Sequence, residues 1–171
     1  RVEISTRHQK ALGPFYPEVD GRRAWGYLWA VTIPCDECTR PFPLIGNLEL
    51  RKPSTRRDRR TKASFDDPGQ SYYIDTDMSA GSWSVVVHEG GPRRAPTRQV
   101  PPGRSKYDSN GRLAVCPFCG HPHDRHMQTR ILADGKGGDA PLLAADIDPR
   151  VGKAYRALDP GELGAIESAA T

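Results

Sequence analysis

Segments in which apolar residues dominate, or alternate with polar ones, predict a chain built mainly of short strands. Residues 27–33 are apolar on both faces, and we expect them to form the most buried strand of the fold. Residues 71–77 and 83–88 predict a β-hairpin around a turn at 78–82. Further strands are expected at residues 41–50, 113–115 and 142–147.

Helical patterns are fewer and lie toward the ends of the chain. Residues 4–12 carry apolar side chains at helical spacing, and Gly13-Pro14 ends the helix that they predict. Asp159 as N-cap, Pro160 at the first helical position and Glu162 two residues later predict a short terminal helix. Residues 127–132 fit either a helix or a strand. The expected fold class is therefore α+β and β-rich, with short flanking helices.

The chemistry of the chain is concentrated in its four cysteines, which form two C-x2-C pairs. The first pair is Cys35 and Cys38, and the second is Cys116 and Cys119. A C-x2-C turn points both sulfur atoms toward one atom, and four thiolates at about 2.3 Å complete the tetrahedral coordination of Zn2+. We therefore predict a structural zinc ion that holds the fold and leaves no position for a substrate.

Three other interpretations of the cysteines are less well supported. Disulfides need an oxidising compartment, and the sequence shows neither an apolar signal segment nor a high cysteine content. A C-x-x-C redox motif belongs to a βαβ pattern, which this sequence lacks. The zinc-deaminase signature fails because His8, the only histidine before Cys35, is not in an H-x-E motif. The role of three histidines stays open. They could replace a cysteine as a ligand, form a second site or lie on the surface, and they are His121, His123 and His126.

A long separation between the pairs determines the predicted architecture. Residues 39–115 lie between them, far more than the about 15–20 residues of a compact site. We predict a zinc-ribbon-like pair of knuckles over residues 27–133, split by a long basic insertion at 51–110 that contains the hairpin. An N-terminal helix and connector (1–26) and a C-terminal strand and short helix (134–171) complete one compact unit.

The composition indicates a thin hydrophobic core that a metal would help to hold. The 171 residues (18.9 kDa) are 36% hydrophobic, with a mean hydropathy of −0.65, 17 glycines and 16 prolines. No run approaches the about 20 apolar residues of a membrane span, and the chain opens without an initiator Met or a signal pattern. We expect a cytoplasmic segment of a longer protein that does not associate with membranes.

Positive charge is concentrated in the middle of the chain. The net charge is +4 and the pI is about 9.0. Residues 51–62 hold seven cations against one acid, which predicts a flexible basic loop, and a second basic stretch spans 93–106. Solvated loops would explain both stretches, but clustered cations also bind nucleic-acid phosphates by releasing counterions. The candidate phosphate contacts are Arg56, Arg57, Arg59, Arg60 and Lys62.

Motifs of catalysis are missing from the sequence. It contains no phosphate-binding loop, no nucleophile elbow and no dinucleotide fingerprint, and His88-Glu89 has no second histidine in register for a metalloprotease site. We therefore expect that this chain alone does not catalyse a reaction. A self-contained enzyme remains a third hypothesis, which requires that the natural protein has no further segments.

Short motifs surround the cysteines and the last predicted strand. They are FYP at 15–17, AWGYLWAVTIPC at 24–35, PL at 43–44, VCPFCG at 115–120, GG at 137–138 and GKAYR at 152–156. Together they resemble a family of large bacterial and archaeal DNA methylase-like proteins that carry an uncharacterised N-terminal domain. The resemblance spans nearly the whole chain. The first cysteine turn departs from the family pattern, because it is shorter and has Thr39 in place of a glycine.

The family's cofactor loop and catalytic motif are absent from this chain. The resemblance therefore implies a zinc-bearing insertion within an adenine-specific DNA methylase associated with phage defence, whose S-adenosylmethionine site lies elsewhere in the parent protein. It also implies DNA, the rest of the methylase and other defence subunits as partners. The alternative hypothesis is a structural or protein-docking zinc-ribbon module that makes no direct contact with nucleic acid.

Overall fold

A computed structural model describes residues 10, 13, 16–19, 21–58, 60–101, 103–104 and 112–169. This part of the chain is β-rich, with two helices, α1 (Arg125–Ala133) and α2 (Pro160–Ala169). The strands are β1 (Glu18–Val19), β2 (Arg22–Arg23), β3 (Gly26–Pro34), β4 (Pro41–Pro43), β5 (Glu49–Arg51), β6 (Ser54–Arg57), β7 (Ser64–Asp67), β8 (Gln70–Asp77), β9 (Ser82–Glu89), β10 (Arg98–Gln99), β11 (Leu113–Val115), β12 (Pro122–His123), β13 (Gly138–Asp148) and β14 (Gly152–Ala157). The helix predicted over residues 4–12 falls outside the described residues, except for Lys10, which is helical.

The chain forms two compact units. One consists of Arg1–Leu28 and Pro141–Thr171, and we call it the terminal unit. The other is Trp29–Ala140, which contains all four cysteines, and we call it the cysteine unit. The divisions fall inside β3 and inside β13, so each of these strands contributes residues to both units.

The cysteine unit is assembled from hairpins and small antiparallel sheets. β4 pairs with the end of β3, so that Ile33 faces Phe42. β10, β11 and β12 form one three-stranded sheet, and β5, β8 and β9 form another. β8 and β9 pair along their whole length. This pairing confirms the hairpin predicted from residues 71–77 and 83–88.

The hydrophobic core of the cysteine unit includes two of the cysteines. Side chains from both cysteine-bearing hairpins and from α1 form one buried cluster, namely Ile33, Cys35, Phe42, Ala114, Cys116, Phe118 and Ile131. Full burial of one large apolar side chain stabilises a fold by about 1.5–3 kcal/mol. Because the cluster is small and two thiols belong to it, the state of the thiols should affect the stability of the whole unit.

Residues 127–132, which fit either a helix or a strand, form most of α1. Asp124 is the N-cap, and its Oδ1 accepts a hydrogen bond from the Met127 N–H at 2.8 Å. Gln128 and Ile131 are the buried residues of the helix, three positions apart on one face. The capping aspartate is the signal in the sequence that distinguishes the two possibilities.

β3 forms over the predicted residues, but the expectation that it is the most buried strand is wrong. Trp29 is 51% exposed and Val31 is 41% exposed, whereas Ile33 is fully buried. The end of β3 is covered because Ile33 packs in the core cluster. The longest buried run belongs to β13, where residues 142–146 are all buried. Apolar sequence therefore identified the strand but not the side chains that other elements cover.

Part of the segment predicted to be a basic loop forms a hairpin. β6 and β7 pair antiparallel along their whole length, and we call residues 54–67 the basic hairpin. Asp67 is buried and accepts hydrogen bonds from Arg51 at 2.8 and 2.9 Å and from Arg56 at 2.6 Å. These bonds, above all those from Arg51, lower the pKa of Asp67 to about 2. A buried ion-pair cluster therefore holds the base of this hairpin.

The terminal unit contains the β13–β14 hairpin and α2. α2 begins as predicted, because Asp159 Oδ1 accepts from the Gly161 N–H at 2.8 Å while Glu162 Oε2 accepts from the Asp159 N–H at 3.0 Å. Arg156 on β14 donates to both carboxylate oxygens of Glu162, at 2.6 and 2.7 Å. The start of the helix is thus tied to the hairpin. Among the described residues, no helix combines the length and the apolar character needed to cross a membrane.

Candidate metal centre

Each cysteine pair lies at the tip of a two-stranded hairpin. Cys35 follows β3 directly, and the turn that contains the first pair leads into β4, with Pro34 opposite Pro41. Cys116 follows β11 in the same way, and the second turn leads into β12. The two pairs therefore occupy equivalent positions on two hairpins that are far apart in sequence.

The two turns also share their backbone hydrogen bonds. The Thr39 N–H donates to the Cys35 carbonyl at 2.8 Å, and the Gly120 N–H donates to the Cys116 carbonyl at 2.9 Å. In the reverse direction, Cys35 donates its N–H to the Arg40 carbonyl at 3.0 Å, and Cys116 makes the equivalent bond to residue 121, also at 3.0 Å. A C-x2-C sequence thus folds into the same turn twice.

The four sulfur atoms meet between the turns. Cys35 Sγ lies 3.6 Å from Cys119 Sγ, and Cys38 Sγ lies 3.7 Å from Cys116 Sγ. All four lie within 4.8 Å of one another. Sulfur atoms on a tetrahedron around Zn2+, with bonds of about 2.3 Å, are separated by about 3.8 Å. The spacing is too long for disulfides, whose S–S bond is about 2.05 Å, and it suits a single metal ion.

Burial and backbone donors have opposite effects on these thiols. Burial raises the pKa of Cys35 and raises that of Cys116 to about 12. The N–H groups of residues 37 and 38 donate to Cys35 Sγ, and those of 118 and 119 donate to Cys116 Sγ, so both sulfurs have donors that favour the thiolate. At Cys38 burial also raises the pKa, but a hydrogen bond from the Arg40 N–H and the neighbouring thiols outweigh it and lower the pKa. A bound cation would supply the remaining charge that the buried thiolates need.

The residue after each pair has a left-handed backbone. Gly120 has φ 76°, a conformation that glycine adopts without steric cost because it has no Cβ. Thr39 occupies the equivalent position with φ 62°. A β-branched residue in this region is a genuine outlier, and the conformation is unfavourable by roughly 1–2 kcal/mol. The Thr39 hydroxyl donates to the Cys38 carbonyl at 2.7 Å, which offsets part of this strain.

Exchanging the two residues should therefore change stability in opposite directions. Thr39→Gly is expected to stabilise the zinc-loaded chain by up to about 1 kcal/mol, because strain relief exceeds the extra entropy of the unfolded chain. Gly120→Thr is expected to destabilise it by about 1–2 kcal/mol, although a Cβ at this position would meet nothing within 4 Å. Urea unfolding midpoints with zinc in excess measure both. Equal midpoints for Gly120→Thr and wild type would contradict the prediction.

His123 connects the two turns, which the sequence did not predict. It is fully buried, and its Nε2 accepts a hydrogen bond from the Asp36 N–H at 3.1 Å, inside the first turn. Nδ1 therefore carries the proton and donates to the Ala114 carbonyl at 3.2 Å, just before the second turn. In the described part of the chain the metal-ligand group consists of the four cysteines alone, so His123 positions the turns without being a ligand. His121 is partly buried and His126 is exposed.

The candidate phosphate contacts occupy different environments. Arg56 is committed to the buried carboxylate of Asp67. Arg57, Arg60 and Lys62 are exposed at the tip of the basic hairpin, where Arg57 Nε donates to the Lys62 carbonyl at 2.9 Å. Arg59 lies outside the described residues. Three of the five predicted contacts are thus placed where a ligand could reach them.

The site is defined as a group of four thiols, held by two equivalent hairpin turns, that could bind one metal ion. In comparisons with known proteins the chain matches no family model, no curated protein and no solved structure. The class of the site therefore rests on its own geometry: the sulfur separations, the paired turns and the backbone donors to the sulfurs.

Proposed function

We propose that this chain is a zinc-stabilised, DNA-contacting module of a DNA methyltransferase-like protein. The observation that carries the zinc assignment is the sulfur geometry, in which four thiols from two knuckle-like turns lie within 4.8 Å. A set of four thiolates at tetrahedral spacing selects zinc or an iron–sulfur cluster, and the single-ion spacing favours zinc. In this proposal the two turns are the knuckles of a zinc ribbon, and the hairpins between them belong to its basic insertion.

The metal has a structural role in this proposal. Four thiolates occupy every position of a tetrahedral ion, so no position remains for a substrate or an activated water. Two of the predicted ligands belong to the hydrophobic cluster, and His123 hydrogen-bonds to the first turn and to β11, the strand that leads into the second turn. Zinc binding and folding of the cysteine unit are therefore coupled.

DNA contact is assigned to the tip of the basic hairpin. Arg57, Arg60 and Lys62 are exposed there, and cations in such a cluster position a protein on the phosphate backbone without reading sequence. A two-stranded ribbon is also narrow enough to approach a DNA groove. The support for a methylase parent, with its own S-adenosylmethionine site, is the sequence resemblance at residues 27–46 and 115–120.

Neutralising the hairpin tip should weaken the dependence of DNA binding on salt. In the triple variant Arg57→Gln, Arg60→Gln, Lys62→Gln, the slope of log K against log salt should decrease in magnitude by about 2–3, because each lost phosphate contact contributes about 0.9. Fluorescence anisotropy with a labelled duplex at several salt concentrations measures this slope.

A charge-matched control separates a local contact from a general charge effect. Three exposed cations outside both basic stretches serve this purpose, in the variant Arg22→Gln, Arg23→Gln, Lys136→Gln. The control should keep most of the wild-type slope. An unchanged slope in the hairpin variant, or an equal decrease in both variants, would overturn the assignment of the tip.

A second candidate function is protein docking without nucleic-acid contact. The observation that favours it is the exposure of Trp29 and Val31 on β3 of the cysteine unit, since aromatic side chains are enriched in protein interfaces. Absence of DNA binding at low salt, together with a partner subunit whose binding is lost in Trp29→Ser, would favour this function over the first.

A further inference from the structure

The second basic stretch contains an arginine, Arg98, whose Nε has no hydrogen-bond acceptor among the described residues. Its neighbour Arg94 is satisfied, because it donates to Asp75 at 3.0 Å and lies over the ring of Tyr73. Arg98, at the start of β10, is partly buried instead, and its Nε is buried without a hydrogen-bond acceptor. A buried donor on a charged group is strongly unfavourable when it stays unpaired, so the environment of Arg98 needs a physical explanation.

Arg112, just before β11, is in the same condition. It is partly buried, and its Nε is also buried without an acceptor. Its Nη1 lies close to Gly46. A Cβ atom placed on this glycine would be only 2.8 Å from Nη1. The residue before Gly46 is Ile45, whose carbonyl accepts the backbone N–H of Arg98 at 2.7 Å. Both arginines therefore border the same short segment of chain.

The sheet register also places the two arginines together. Gln99 faces Leu113 in the β10–β11 pair. Arg98 comes directly before Gln99, and Arg112 comes directly before Leu113. On antiparallel strands this is a diagonal relation, with about 7–8 Å between the residues, which is within reach of long side chains. In the described part of the chain, neither side chain has a carboxylate partner. Two positive charges are thus adjacent and partly buried, with no carboxylate counter-ion among the residues that the structure describes.

We propose that Arg98 and Arg112 form a binding site for a phosphate group. The planar guanidinium presents its donors in a fork that matches phosphate oxygens, and two such forks can hold one phosphate from two sides. Because both Nε atoms are buried, each guanidinium has to turn toward the phosphate, which then supplies the acceptors that the Nε atoms lack and neutralises the paired charge. The site lies outside the basic hairpin, so it does not depend on the proposed function. The phosphate belongs either to a nucleic-acid backbone or to a small phosphorylated molecule.

Titration with inorganic phosphate tests the site directly. The zinc-loaded chain, labelled with 15N at arginine Nε, is titrated at constant ionic strength and followed by NMR. Two Nε–H resonances should shift saturably, and they should be the ones missing from Arg98→Gln and Arg112→Gln. Each variant should weaken phosphate binding at least about tenfold, as expected for the loss of a charge-assisted hydrogen bond. Arg60→Gln, at the exposed hairpin tip, is the control and should bind phosphate as the wild type does.

Two further variants keep the test decisive if a glutamine variant fails to retain zinc. Arg98→Lys preserves the charge but not the fork, and Gly46→Ala displaces the Arg112 guanidinium without changing any charge; both should weaken binding. Linear, non-saturating shifts in the wild type, or equal weakening by Arg60→Gln, would overturn the site. If a short DNA duplex competes with phosphate, the ligand is a backbone phosphate. If phosphate binds and the duplex does not compete, the site stands and takes a small phosphorylated ligand.

Discussion

Removal of zinc should abolish the cooperative unfolding transition of the cysteine unit. Cys35 and Cys116 are part of its hydrophobic cluster, and without a cation the buried thiols must be protonated or repel one another as thiolates. Structural zinc contributes on the order of 10 kcal/mol to small metal-dependent domains, which is as large as the stability of many whole domains. Cys116→Ser, or chelation of the wild type, should therefore eliminate the transition that urea produces in the loaded protein. Metal analysis of the wild type should give about one zinc per chain.

Glu37→Ser is a suitable control for the cysteine substitution. Residue 37 is exposed in the first turn, between the two ligands, and only its backbone N–H takes part in the site. This variant should keep its zinc and unfold at nearly the wild-type urea concentration. A chelated wild type that unfolds at the same midpoint as the loaded protein would contradict the prediction. A protein that is folded and metal-free when isolated, and in which all four thiols react with a thiol reagent, would also contradict the prediction.

Local features of the metal centre could be predicted from the sequence. The C-x2-C spacing determines the turn, a strand leads into each pair, and glycine after Cys119 matches the left-handed backbone observed there. That reasoning does not extend to Thr39, where a β-branched residue adopts a backbone conformation that favours glycine. Hydrogen bonds that repeat in both turns impose this conformation. The turn geometry thus outweighs the intrinsic preference of the residue.

Nonlocal contacts could not be predicted in the same way. His123 is one of three histidines near the second pair, and nothing in the sequence indicates that its ring spans the distance to Asp36 in the other turn. Arg56 belongs to a run of cations in sequence, but it is paired with Asp67, eleven positions later and outside that run. A count of charges in a window therefore overestimates the number that remain available to a partner.

Substituting Asp67 should produce the second largest loss of stability among these predictions. Its side chain is fully buried, and Arg51, Arg56 and the Gly69 N–H all donate to it. Removing the carboxylate of a buried ion-pair cluster is destabilising by about 3–5 kcal/mol, because the partly buried Arg51 and Arg56 lose the counter-charge that their burial requires. The pKa of Asp67 is lowered to about 2, so its contribution is complete above the unfolded value of about 3.9 and is lost only as the pH falls toward 2. At pH 7, Asp67→Asn should therefore unfold at a much lower urea concentration.

Asp66→Asn is the matched control, because it changes the adjacent residue of the same strand in the same way. Asp66 is exposed and bonds to the hydroxyl of Thr55, so its substitution should shift the free energy of unfolding by less than about 0.5 kcal/mol. Hydrogen exchange distinguishes the two variants further. The amides of β6 and β7 should exchange faster in Asp67→Asn, since the hairpin loses the anchor at its base. If Asp67→Asn and Asp66→Asn have equal stabilities and equal exchange rates, the ion-pair cluster does not hold the basic hairpin, and the position of Arg57, Arg60 and Lys62 depends on the strand pairing alone.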